Sequence, residues 1–189
     1  MRKDLGVMPA AFPMPVLMIA TYNKDNTVNV MNMAWGGICG GKYIALNISE
    51  THQTSENIKM RGAFTVSIAD RKHLAEADYF GIVSGSDVPE KFSHTNMSST
   101  KSQFVDAPIV EEWPVTMECR VAKIQKDPEF GFRVIGEIMN VSAHEDVLDE
   151  DGKVDVSKVD AVAFDNFRND YYAIGEKVGA AWGIGMELE

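Results

Sequence analysis

The stretch at residues 15–22 (PVLMIATY) constrains this chain more than any other. It is a continuous apolar run, succeeded by Asn23-Lys24-Asp25-Asn26 and then by the alternating segment 27–33, TVNVMNM. An apolar run bounded by turn residues reads as a buried strand. Asn and Asp side chains bond their own backbone and tolerate left-handed dihedrals, so residues 23–26 read as a turn. On the return strand Val28 and Val30 point one way, Asn29 and Met31 the other. The chain therefore opens with a β-hairpin that has to be buried.

Strands and turns continue along the rest of the chain. Residues 34–42 (AWGGICGGK) carry four glycines and read as a strained turn around Trp35. It does not match a GxGxxG dinucleotide loop, because no helix start comes after it. Residues 43–48 form a strand, and 49–61 a short polar helix with a cap at Thr54 and Gly62 as its C-cap. Residues 63–69 alternate as a strand. Residues 70–85 read as a helix packing through Leu74, Ala77, Tyr79 and Phe80. A polar, turn-rich segment (86–106) precedes the strand entrance at Trp113-Pro114. The strand at 114–125 turns Glu118 and Arg120 outward. After a turn at 127–131, the strand at 132–143 carries Gly136 as a bulge. Residues 145–160 are an acidic surface excursion with a helical turn at 156–159. Five or six strands with short turns predict a mainly β fold, a closed antiparallel barrel with peripheral helices, in one domain spanning 1–189.

Composition removes several function classes. The formal net charge of −10 disfavours a nucleic-acid partner, which needs a basic face. No apolar run is long enough to span a bilayer. Pro9, Pro13 and Pro15 break the apolar stretch after Arg2 and Lys3, so no secretory signal is expected. Cys39 and Cys119 form no CxxC pair and read as free thiols of a reducing cytoplasm, with Cys39 as a buried, inert one. His73, His94 and His144 lack metal-ligand spacing and read as surface residues. No nucleophile elbow or Ser-His-Asp order supports hydrolysis.

Two polar clusters interrupt the buried strands: Asn29, Asn32 and Trp35, then Asn47, Ser49, His52, Gln53, Thr54 and Ser55. An unpaired buried polar group costs roughly 1–3 kcal/mol, so these groups need partners. A ligand rich in acceptors would supply them. The helix N-terminus with the Thr54 and Ser55 hydroxyls is a candidate phosphate site, with plain N-capping the alternative. Lys91 is either a solvated charge or a reach toward that phosphate.

Taken in order, PVLMIATYNKDNTVNVMNMAW, ALNISETHQTSENIKMRGAFTVSIA, PEKF, PIVEEWPVTMECRV, FRVIGEIMNV and DNFRNDYYAIGEKVGAAW resemble the flavin reductase-like family, flavoredoxin-like branch. The resemblance covers nearly the whole chain. It implies an FMN-binding split barrel, an antiparallel Greek-key barrel that forms a homodimer, with FMN as cofactor near the subunit interface. By position, Asn29 and Asn32 lie on the strand passing the flavin, and Met33, Ala34 and Trp35 line its rings. Asn47 and Ser49 approach the ribityl chain. His52, Thr54 and Ser55 take the phosphate with Lys91. Phe164 lies beside the isoalloxazine, and Tyr171 or Tyr172 does likewise.

The implied activity is an FMN oxidoreductase fed by NADH or NADPH. The alternative is an electron-transfer flavoprotein served by a protein partner, with no nicotinamide activity and the acidic loop as a docking face. No catalytic side chain is expected, because the cofactor carries the chemistry. Trp35 stands where many flavin reductases are rich in small residues, which favours a tightly held FMN. The histidine that some relatives offer near 127–132 is absent.

Overall fold

A computed structural model describes residues 1–129 and 131–188 of the protein. Its strands are β1 (Met14–Pro15), β2 (Leu17–Tyr22), β3 (Val28–Met33), β4 (Gly36–Gly40), β5 (Tyr43–Ile48), β6 (Ala63–Ile68), β7 (Ser99–Lys101), β8 (Pro108–Val110), β9 (Val115–Asp127), β10 (Gly131–Ala143), β11 (Val162–Asp165) and β12 (Asp170–Ala173). The α-helices are α1 (Gln53–Arg61), α2 (Leu74–Ile82) and α3 (Val156–Val159).

Seven strands form one antiparallel sheet in the order β3-β2-β6-β9-β10-β5-β4. The end strands β3 and β4 are linked by Ala34-Trp35, and the sheet curls between them into a split barrel rather than a closed one. A three-stranded sheet, β1-β11-β12, and a two-stranded one, β7-β8, stand beside it.

The hairpin expected at the start is present, with Leu17 opposite Met33 and Tyr22 opposite Val28. Strand β2 is buried from Leu17 to Thr21 because both its faces are covered. Leu17 and Ile19 face the barrel interior with Leu46, Phe64 and Val134. Val16, Met18 and Ala20 face a second core built from Ala77 and Phe80 of α2, Trp113 and Val162. At about 25 cal/mol per Å² of apolar surface, each of the Val, Leu, Ile, Phe and Met side chains among them contributes roughly 1.5–3 kcal/mol.

The structure departs from the sequence expectations at several places. The glycine-rich segment is not only a turn: Gly36–Gly40 is an edge strand paired with β5. Gly36 has no room for a side chain, since a Cβ there would sit 2.7 Å from the Ala45 carbonyl oxygen. Helix α1 is capped at His52 rather than Thr54, which places Thr54 and Ser55 inside its first turn. Glu118 is buried, not outward, with Asn140 Nδ2 donating to it at 2.6 Å and the Ser102 hydroxyl also donating. Cys39 is exposed on β4 while Cys119 is buried, and burial pushes the Cys119 thiol up to about 12. His73 is half-buried, its Nδ1 2.9 Å from Asp70. In the turn at 127–131, Phe130 lies outside the described residues.

The bulge expected at Gly136 is a register shift between Ile135 and Gly136 in the β9–β10 ladder. Its cause is packing as well as pairing: a Cβ on Gly136 would lie 2.4 Å from Cζ of Phe64, a fully buried ring. Gly136→Ala should therefore destabilise the fold by about 1–3 kcal/mol, read as a lowered midpoint in urea unfolding with unchanged slope. Phe64→Leu in the same background should recover part of that loss.

Candidate functional site

The β3–β4 junction, the end of β5, the start of α1 and one side of α2 converge on a cleft of about 760 Å³. Met33, Ala34, Trp35, Asn47, Ser49, His52 and Phe164 line it, with Asn32 and Tyr171. Trp35 is half exposed at its rim and leans on Phe164, ring centroids 6.2 Å apart; Phe164 in turn meets Tyr171 at 5.9 Å. Tyr172 points elsewhere, edge-on to Phe12 at 5.7 Å. The result is an aromatic and aliphatic slot with amides on one wall, the usual construction of a site for a flat ring system.

A smaller pocket of about 160 Å³ adjoins it, sharing Met31, Asn32, His52, Gly81 and Ile82 with the cleft. Asn29, Thr54 and Lys91 line this pocket. The amides of the first turn of α1 have no intrahelical acceptors and carry the positive end of the helix dipole. Asn29 Nδ2 donates to Thr54 Oγ1 at 2.9 Å, so the Thr54 hydroxyl proton remains for another acceptor. Gly85 passes so close that a Cβ on it would lie 2.3 Å from Asn29 Oδ1. A glycine is needed there for the loop after α2 to close the pocket.

Lys91 is not a solvated surface charge. It is 2% exposed, and its Nζ donates to the carbonyls of Phe80 at 3.1 Å and Val83 at 2.6 Å. It thus ties down the C-terminal end of α2 while lining the small pocket. Burial lowers its pKa to about 8. His52 is pulled below the ordinary imidazole value, first by desolvation and then by the Lys91 charge. An anion in the pocket would raise both pKa values again.

Of the residues singled out in sequence, Ser55 and Tyr172 line neither pocket; the Ser55 hydroxyl donates to the Ser49 carbonyl at 2.5 Å and fixes the approach to α1. Sequence reasoning missed Asp78, Gly81, Ile82 and Asn169 as lining groups. Asp78 and Gly81 lie on one side of α2, and that spacing is legible in the sequence. Its meaning is not, because an amphipathic pattern identifies only the apolar face of a helix. Among the described residues no cluster of His, Cys, Asp or Glu is arranged to hold a metal ion.

A model of the flavin reductase-like domain matches residues 8–165. Among solved structures, the flavoredoxin of Desulfovibrio vulgaris (Miyazaki F) is 37% identical, with a TM-score of 0.92 over 98% of this chain and 100% of that one. Flavoredoxin from Methanosarcina acetivorans is 25% identical with a TM-score of 0.88, covering 100% of this chain and 98% of that one. Nitrilotriacetate monooxygenase component B from Bacillus cereus shares the fold at 17% identity, with a TM-score of 0.80 over 95% of this chain and 100% of that one.

The buried lysine has a measurable consequence. Its folded pKa of about 8 lies below the ordinary 10.5, so between these values the unfolded chain holds more protons. Stability carried by this group therefore rises with pH through that window and is lost as pH falls through about 8. Wild type should gain on the order of 2 kcal/mol relative to Lys91→Met between about pH 8 and pH 10. Denaturant unfolding of the two proteins at both pH values checks it; parallel curves would remove the buried-cation assignment.

Proposed function

The chain belongs to the flavin reductase-like family, and from that premise we propose that it binds FMN in the paired pockets and passes electrons from a reduced nicotinamide through FMN to an acceptor. The observation that carries the reading is the adjacency of an aromatic slot and a small pocket made of a helix N-terminus, a hydroxyl and a buried lysine. One fits a flat ring, the other a phosphate dianion, and FMN has both at about the separation of a short chain. The likeness to two flavoredoxins supports it.

In this reading Thr54, the first-turn amides of α1 and Lys91 hold the phosphate. Asn47 and Ser49 face the ribityl chain, and Asn32, Met33, Ala34, Trp35 and Phe164 hold the rings. When bound, FMN supplies the redox chemistry, accepting a hydride equivalent and releasing electrons. The residues of this chain orient the rings, keep water from one face and present amides to the ring edge. No side chain has to move a proton at the reacting atom.

The chain works as one functional domain and as a homodimer in the cytoplasm, where Cys39 and Cys119 stay reduced. Exposed apolar residues on the N-terminal arm (Leu5, Val7, Met8 and Phe12) and after β12 (Ile174, Val178 and Trp182) favour coverage by a second copy. No helix among the described residues is long and apolar enough to cross a membrane.

A second reading is an electron carrier served by a protein partner. The 37% identity to a flavoredoxin favours it, and the exposed carboxylates at Glu145, Asp146, Glu150 and Asp151 offer a face for a basic partner. Anaerobic addition of NADH, then NADPH, to the FMN-loaded protein separates the two. Bleaching of the flavin band by either nucleotide supports the reductase. A band that bleaches only with dithionite supports the carrier.

The phosphate assignment is tested separately. Thr54→Val combined with Lys91→Met should weaken FMN binding at least about a hundredfold while changing riboflavin binding by less than about threefold. Fluorescence titration of both ligands reads this directly. Equal losses for the two would place the phosphate elsewhere.

A further inference from the structure

The cleft holds one group that a binding site for an anionic cofactor does not need. Asp78 sits midway along α2, half-buried, and lines the cleft beside Asn32, Phe164 and Tyr171. No cation pairs with it among the described residues. Its Oδ1 accepts the Tyr171 hydroxyl at 2.9 Å. That hydroxyl accepts in turn from Asn32 Nδ2 at 3.3 Å, and the same nitrogen donates to the Ala77 carbonyl at 3.0 Å. The chain of donors fixes direction: the Asn32 Nδ2 that meets the phenol can only donate, so the phenol proton faces the Asp78 carboxylate.

We propose that Asp78, positioned by Tyr171, sets how readily a flavin bound in this cleft is reduced. The inference rests on the FMN reading above. Two electrons and one proton, drawn from the reductant and the solvent, leave one negative charge on the reduced ring. A carboxylate on the cleft wall opposes that charge and leaves the neutral oxidised ring nearly unaffected, so it weakens binding of the reduced form selectively. Tyr171 moderates the effect by donating to the carboxylate. Burial, then the bond and charge of Asp78, push the phenol up to about 12, so it stays a donor across the working range. The cation of the site, Lys91, lies in the adjoining pocket, bonded to the end of α2.

The test is anaerobic equilibration of FMN-loaded wild type, Asp78→Asn and Tyr171→Phe with a redox dye at pH 7. Asp78→Asn should raise the ratio of reduced to oxidised flavin about tenfold at a fixed dye ratio, the size expected of a unit charge several ångströms away. Tyr171→Phe should lower that ratio about two- to threefold, because the carboxylate loses its donor. Affinity for oxidised FMN should stay within about threefold in Asp78→Asn. An unchanged ratio in Asp78→Asn, or a shift of the same sign in both variants, overturns the proposal. The opposite shift in Tyr171→Phe decides the matter should the Asn variant fold poorly. A wild-type chain that takes up no FMN overturns the functional reading, and this inference with it.

Discussion

The site depends on a buried network of amides and hydroxyls that joins the first hairpin to α1. Asn29 donates to Thr54, and Asn57 donates to Thr21 at 3.0 Å and to Asn23 Oδ1 at 2.8 Å. Gln53 donates to Asn57 at 2.9 Å, and Arg61 closes the far end on the Asn23 carbonyl and Asn26. Asn29, Thr21, Thr54 and Asn57 are each at most 2% exposed. A buried polar group without a partner costs about 1–3 kcal/mol, so the network is satisfied only in one register of helix against hairpin. That register aims the first turn of α1 into the small pocket. An apolar interface of the same area would bury as much surface yet leave the helix free to slide.

Two cores hold this arrangement from opposite sides. The barrel interior grips one face of β2 and the α2 layer the other, so β2 cannot shift without breaking both. Helix α2 approaches β3 through Gly81, where a Cβ would lie 3.2 Å from Asn32 Cβ. The same closeness lets Asn32 bond the Ala77 carbonyl, which ties the cleft wall to the helix. Packing and polar contacts thus specify one distance between α2 and the sheet, and the cleft has its width as a result.

The hairpin, the bulge at Gly136 and the C-cap at Gly62 are legible in the sequence because each is a local rule: turn residues, a glycine between alternating residues, and a left-handed position with φ of 66°. The polar clusters are legible because Asn and Thr at strand ends are conspicuous against an apolar background. The edge strand β4 is not, since glycine removes the side-chain alternation by which strands are read, and only pairing with β5 reveals it. The helix cap falls two residues before Thr54 even though Thr54 is the better capping side chain, because its hydroxyl is engaged by Asn29 across 25 positions of sequence. Alternation points Glu118 outward for a similar reason. Its partners Ser102 and Asn140 come from distant segments, and no window contains all three.

Tyr171 and Asp78 lie 93 residues apart, and their meeting depends on β12 folding back over α2. No periodicity encodes that contact. The reason lies in the chemistry the site has to support. An enzyme that must abstract a proton carries a base at a fixed distance from a reacting atom, and such residues come in recognisable constellations. A site for a group that brings its own reactivity needs shape, donors and a chosen balance of charge, and the groups lining this cleft come singly from β3, β5, α2, β11 and β12 and the approach to α1. Each of those residues is unremarkable alone: an asparagine on a strand, a glycine in a helix, a tyrosine on an edge strand. Their joint placement around one cleft is what separates a binding site from a set of satisfied polar groups, and it exists only once the sheet has curled.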